Sequence, residues 1–155
     1  MSTRLKLVLG IAAVAALVPL GTTAAKKQHG HEPPSVGDVV REHIDAVEDC
    51  DADRLVAGYA PDAKVFFPDG VVIEGEAALR ELYEGFVLPV SEGGLCGITA
   101  TRVDSYRRGG TIFVKFRVEA PFLAQPYFST DGYVIAHGEI LSEMSTFDAS
   151  NLVFE

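Results

Sequence analysis

Cysteine is scarce in this 155-residue chain, which has only Cys50 and Cys96. Their wide spacing, outside any Cys-x-x-Cys pattern, argues against a metal or redox motif and for a single structural disulfide, with two buried free thiols as the other reading. Cations are also few: 13 Lys and Arg stand against 22 Asp and Glu, for a net charge of −9. A surface this acidic repels nucleic acid and anionic lipid, so neither is expected as a partner. There is no internal repeat, no phosphate-binding glycine loop and no dinucleotide fingerprint, and no cofactor is expected. No metal is expected either, since His29 and His31, the only paired imidazoles, lie on a segment without apolar periodicity.

Long hydrophobic runs are confined to the first 25 residues. Arg4 and Lys6 precede an apolar stretch, Leu7 to Leu20, which gives way to the small residues Gly21 to Ala25. This charged, apolar, small-residue order matches a secretory signal. The apolar stretch falls short of the roughly 20 residues of a membrane-spanning helix. Residues 1–25 are therefore expected to be a signal peptide, with an uncleaved anchor as the alternative, and residues 26–35 a flexible leader. Cleavage would leave residues 26–155 as a secreted or periplasmic chain, its folded domain spanning residues 36–155, with no membrane attachment. Without Arg4 and Lys6, 11 basic residues face 22 acidic ones. Export also meets an oxidising compartment, which suits a Cys50–Cys96 bond.

Val36, Val39, Val40, His43, Ile44 and Val47 recur at three- and four-residue spacing, so His43 shares the apolar face of a first helix. Asp53 is expected to cap a second helix through Leu55, Val56 and Tyr59 that Pro61 ends. Val65-Phe66-Phe67 and Val71-Val72-Ile73 read as a hairpin around Pro68-Asp69-Gly70. Glu76 to Phe86 reads as a third helix with Leu79, Leu82, Tyr83 and Phe86 inward. Strands follow at Ile98 to Tyr106, Thr111 to Ala120, Tyr127 to Ala136 and Glu139 to Phe147, antiparallel because their connections are short. On the third-last of these, Ile112, Val114, Phe116 and Val118 alternate with Phe113, Lys115, Arg117 and Glu119, a mostly charged face read as solvated.

This order, carried by Val40 to Val47, Asp51-Ala52-Asp53, Tyr59 to Ala63, Pro68-Asp69-Gly70, Gly75 to Tyr83 and Gly138 to Phe147, resembles the nuclear transport factor 2-like superfamily. Within it, the stretch looks most like the SnoaL-like and ketosteroid-isomerase-like branch. The resemblance implies an α+β fold in which a cone-shaped, curved antiparallel sheet wraps around the helices and leaves one apolar pocket. It also implies a homodimer formed through the outer face of the sheet, where Lys115, Arg117 and Glu119 can pair between copies.

The resemblance carries over residue by residue with mixed results. Ketosteroid isomerases use an aspartic acid, kept neutral by an apolar site, as an oxyanion donor. Asp131 falls at that position, and His43 stands where the family has a tyrosine. Phe67 falls where the proton-moving aspartate belongs, and it accepts no proton, so steroid isomerisation by the family mechanism is not expected. Asp131 alternates with Ser129, Tyr133 and Ile135; on a concave face its pKa should rise. Glu143 alternates with Leu141, Ser145 and Phe147, and the pattern leaves its face open, leaning outward; an inward Glu143 would join His43 and Asp131 in an acid–base group.

Tyr59, Tyr83, Tyr106 and Tyr127 can shape the pocket or the core, and Phe67, Phe116, Tyr133 and Phe147 are further candidate ligand contacts. Function is then expected to be binding of a small apolar or polycyclic molecule, with acid–base catalysis through His43, Asp131 and Glu143 as the alternative and a dimeric scaffold as the third reading.

Overall fold

A computed structural model describes residues 33–155; the expected signal peptide, most of the leader, and His29 and His31 lie outside them. Helix α1 (Val36–Glu48) begins at a capping box, in which Asp38 N donates to Ser35 Oγ at 3.3 Å and Ser35 N to Asp38 Oδ2 at 3.1 Å. It buries Val39, Val40, His43, Ala46 and Val47. Helix α2 (Ala52–Ala57) is capped by Asp51, not Asp53: Arg54 N donates to Asp51 Oδ1 at 3.0 Å. Asp53 instead pairs with Arg80 of α3 (Glu76–Phe86) at 2.6 Å.

Tyr59 does not extend α2 but opens β1 (Tyr59–Phe66), and Pro61 lies inside that strand. A proline donates nothing to a ladder. The pairing tolerates it because the register between β1 and β6 (Glu139–Met144) is broken between Tyr59 and Lys64. Strand β2 (Val72–Glu74) folds back on β1 through a turn closed by Phe67 N to Val71 O at 2.9 Å, so Phe67 sits just beyond the strand. Asp69 stays in this turn, accepting from Val71 N at 3.0 Å.

The meander is β3 (Thr99–Arg108), β4 (Thr111–Glu119), β5 (Tyr127–Ala136) and β6. The turn after β3 is Gly109-Gly110, two residues later than expected, and β6 ends at Met144 rather than at Phe147. The six strands form one sheet in the order β2-β1-β6-β5-β4-β3, antiparallel throughout except for the β1–β6 pair, which is parallel. Helix α1 packs on β3, β4 and β5 and α3 on β1 and β2, so the core lies between the helices and the curved sheet.

One irregularity decides which side chains enter that core. Val134 pairs with Ser142 and Ile135 with Ile140, which leaves Leu141 as an extra, exposed residue in β6. A bulge of this kind changes the parity of the strand. Ile140 and Glu143 are both buried as a result, and the outward leaning of Glu143 is overturned.

Cys50 and Cys96 are disulfide-bonded and join the end of α1 to the segment before β3. On the outer face, the register aligns Val72, Phe66, Met144, Gly132, Phe113 and Tyr106 in a row across all six strands. Tyr106 is therefore an outer-face residue, 67% exposed, and not part of any pocket wall. Arg117 pairs with Glu119 on its own strand, and Lys115 lies 5.3 Å from the centre of the Phe128 ring.

Candidate functional site

Between the helices and the concave face lies a cavity of about 180 Å³. Its wall is built by Ile44 and Val47 of α1, Leu82, Tyr83 and Phe86 of α3, Val65 of β1, Phe116 and Val118 of β4, and Phe67 and Phe147 beyond their strands. Four further polar residues border it, Ser129 and Asp131 from β5, Glu143 from β6 and Ser145 just beyond β6. Of the expected contacts, Phe67, Tyr83, Phe116, Phe147, Asp131 and Glu143 border the cavity. His43, Tyr59 and Tyr133 are buried behind this lining, and Tyr127 packs edge-on against Phe147 at 5.6 Å between ring centres. Ser129 and Ser145 are lining residues that sequence reasoning left without a role, although their parity with Asp131 and Glu143 was visible.

Two carboxyl clusters make up the polar side. Asp131 Oδ1 accepts from Ser145 Oγ at 2.9 Å and from the Thr146 amide at 3.2 Å, and Oδ2 accepts from Ser129 Oγ at 3.2 Å. Burial and the nearby Glu143 charge push its pKa up to about 6, against the pull of these donors. Glu143 Oε2 lies within hydrogen-bond distance of the Tyr59 hydroxyl and, at 3.4 Å, of the Tyr83 hydroxyl, and the two hydroxyls also touch each other; the two phenol protons serve two of these three contacts, Tyr59 donating to Oε2 and Tyr83 to Tyr59 or Oε2. Burial pushes Glu143 up to about 7, opposed by the two tyrosines. The same burial, with the Glu143 charge beside them, raises Tyr59 and Tyr133 well above the phenol range, and Tyr83 likewise.

His43 sits behind Glu143, with Nε2 4.0 Å from Oε2. Its ring meets Tyr59, Tyr83 and Tyr133 edge-on, at 5.7, 6.1 and 5.7 Å between ring centres. Burial lowers its pKa to about 4, with Asp131 pulling the other way, so the imidazole is neutral at pH 7. Its Nδ1 is buried with no hydrogen-bond partner among the described residues. No cluster of three or more His, Cys, Asp or Glu arranged to hold a metal occurs among the described residues.

Chemically, this is an apolar chamber with two carboxyls of near-neutral proton affinity at one side and a neutral imidazole behind them. The model of the SnoaL-like domain matches residues 40–142, and the chain belongs to that family, within the nuclear transport factor 2-like fold. A candidate polyketide cyclase from Sinorhizobium meliloti is 25% identical, with a TM-score of 0.56 over 70% of this chain and 94% of its own. SalBIII, an epoxide hydrolase/cyclase-like enzyme of pyran ring formation in salinomycin, is 18% identical, with a TM-score of 0.62 over 77% and 95%. A candidate ketosteroid isomerase from Kribbella flavida is 13% identical, with a TM-score of 0.58 over 73% and 77%. No curated protein matches the chain.

Proposed function

We propose that the cavity binds a small, largely apolar molecule that carries one polar group. The observation that supports this most directly is the division of its wall: aromatic and aliphatic side chains surround the space, while Asp131 and Glu143 border it on adjacent strands. That is the composition of a ligand pocket, an apolar lining with a few placed polar groups. Native mass spectrometry of residues 26–155, purified from an oxidising compartment, tests it: a co-purified small molecule is expected, released on unfolding. Empty protein that also fails to bind naphthalene in solution refutes the reading.

A second reading, an acid–base enzyme acting on a carbonyl-containing or polycyclic substrate, is favoured by the proton affinities of Asp131 and Glu143, which lie near neutrality. Relatives with cyclase names support that class. In this reading protonated Glu143 donates its proton to a substrate oxygen through Oε1, which accepts no hydrogen bond from any described residue, and ionised Asp131 takes a proton from the substrate, so that one proton enters and one leaves. Turnover lost in Glu143→Gln with ligand affinity kept within about threefold separates catalysis from binding.

We also propose export through residues 1–25, which the Cys50–Cys96 bond supports, since disulfides persist in oxidising compartments. A homodimer through the outer face of the sheet is proposed on the apolar row that crosses it, with charged residues on both flanks.

A further inference from the structure

The polar side of the cavity is acidic and has no counter-cation among the described residues. Asp131 and Glu143 border it, no Lys or Arg does, and the base nearest to them, His43, is held neutral by burial. Tyr133 stands opposite Glu143, and Asp131 lies two residues before Tyr133, so the two carboxyls are diagonal neighbours on one face. Backbone positions at that offset are about 7–8 Å apart, and both carboxyls border the same cavity, so a group lodged between them faces both. Each carboxyl keeps capacity for such a group. Glu143 is 6% exposed, and both tyrosine hydroxyls lie at its Oε2, leaving Oε1 without a partner among the described residues. Asp131 Oδ2 accepts only from Ser129 and retains a lone pair. The apolar lining includes a phenylalanine wall, Phe67, Phe86 and Phe147 together with Phe116 beside Ser129 on the sheet, whose π systems attract cations.

We propose that the ligand is a small apolar amine, its protonated nitrogen seated between Asp131 and Glu143 and its hydrocarbon body against the phenylalanine wall. This rests on the binding reading above and gives it a charge class. Burying two carboxyls without a cation is costly; the hydroxyl and amide donors around them offset part of the cost, and holding protons offsets the rest. An ammonium group takes the place of those protons and brings its own hydrogen bonds. A carboxylate or phosphate ligand meets only like charge. The chain's surplus of acidic residues steers cations toward it in the same sense.

The pH dependence separates this ligand from a neutral carbonyl compound. The other titratable groups facing the pair are His43 from α1, Tyr59 from β1, Tyr83 from α3 and Tyr133 on β5, and all are neutral at pH 7. The site charge is therefore that of Asp131 and Glu143 alone. Ammonium binding strengthens as pH rises from 5 to 8 and the acids lose their protons. A ligand that needs a proton from Glu143 shows the reverse slope.

Calorimetric titration of the disulfide-bonded chain with benzylamine, benzyl alcohol and benzoate, at pH 5 and pH 8, tests the proposal. One aromatic ring fits, since a cavity of about 150 Å³ already holds benzene. At pH 8 benzylamine is expected to bind about tenfold or more tightly than benzyl alcohol, and benzoate not at all. The advantage should vanish in Asp131→Asn and in Glu143→Gln, while both variants still bind benzyl alcohol and so retain the folded cavity. Equal or tighter binding of the alcohol or of benzoate overturns the amine assignment and leaves the apolar-ligand reading standing. So does an amine preference that survives both substitutions. If naphthalene binds and none of the three probes does, the amine assignment falls alone; if naphthalene fails as well and the purified protein carries no small molecule, both readings fall.

Discussion

Tyr133 on β5 stands directly opposite Glu143 on β6, and both side chains are buried on the concave face. A carboxyl in that setting holds its proton more tightly than it does in the unfolded chain: its pKa rises from 4.5 to about 7. Between those values the native state binds more protons, so the contribution of Glu143 to stability is full below about pH 4.5 and is lost as pH rises through 7. At about 1.4 kcal/mol per pKa unit, the loss is about 3 kcal/mol. Glu143→Gln, which stays neutral, should be more stable than the parent at pH 8 by about 1–3 kcal/mol and within about 1 kcal/mol of it at pH 4.5. Thermal denaturation at the two pH values measures this. A glutamine variant less stable than the parent at pH 8 would mean that the ionised carboxylate is favoured by the fold.

His43 pulls in the opposite direction. Its folded pKa of about 4 lies below the ordinary 6.5, so the unfolded chain binds the extra proton between the two. Its contribution is present above pH 6.5 and is lost as pH falls through 4. His43→Leu removes the titration together with the unpartnered Nδ1, an orphan that costs on the order of 1–3 kcal/mol. The variant should therefore gain on the parent as pH falls from 6.5 to 4, read as a flatter dependence of urea-unfolding free energy on pH. An unchanged slope would place the acid sensitivity elsewhere.

Helices α1 and α3 were legible because their period of 3.6 continues over many residues, and β4 because strict alternation runs along it; β3 and β6 were legible from the turns that bound them. The same period put His43 on the inner face of α1, where it lies. Tyr59 to Pro61 misled because a proline after an apolar helical stretch reads as a helix end. Here tertiary pairing overrides that signal, with β1 taking the proline at a break in its register with β6. The face of Glu143 was illegible for a different reason. Strict alternation assumes an unbroken strand, and the extra residue Leu141 shifts the parity, so Ile140 and Glu143 both point inward. No local pattern marks that bulge. The hydroxyls that meet Glu143 come from Tyr59 and Tyr83, 84 and 60 residues away in sequence, a separation that periodicity does not bridge.

The Cys50–Cys96 bond spans a sequence separation of 46 and ties α1 to the segment leading into β3. Closing a loop of that length removes unfolded-state entropy worth about 4 kcal/mol in the chain-entropy model. The segment also carries Ile98, a wall residue of the cavity, so the bond reaches the site as well as the stability. Replacing both cysteines by serine should cost about 4 kcal/mol in urea denaturation and weaken naphthalene binding. A loss under about 1 kcal/mol would show that the unfolded chain is already compact around this loop.

The outer-face row gives the dimer proposal its test. Val72, Phe66, Met144, Phe113 and Tyr106 are each at least 39% exposed, and Gly132 lies beneath the Phe113 ring. An apolar strip across a whole sheet is more than scattered surface hydrophobics require an account for, and it suits a partner with the same strip. The flanking charges support a second copy as the partner of this proposed interface. On β3, Tyr106 of the row lies between Arg108 and Asp104, which pair across the ladder with Thr111 and Lys115. A two-fold axis along the row sets Arg108 of one copy against Asp104 of the other, and the reverse, which is the self-complementarity of an isologous interface. Phe113→Asp should give a monomer in sedimentation, with the fold retained by circular dichroism. Arg108→Asp should weaken the dimer about tenfold, and the swap Arg108→Asp with Asp104→Arg should restore it, because the pair is re-formed with its signs exchanged. A parent protein that sediments as a monomer at micromolar concentration refutes the interface, and a swap that fails to restore assembly refutes this axis while leaving the strip as the contact.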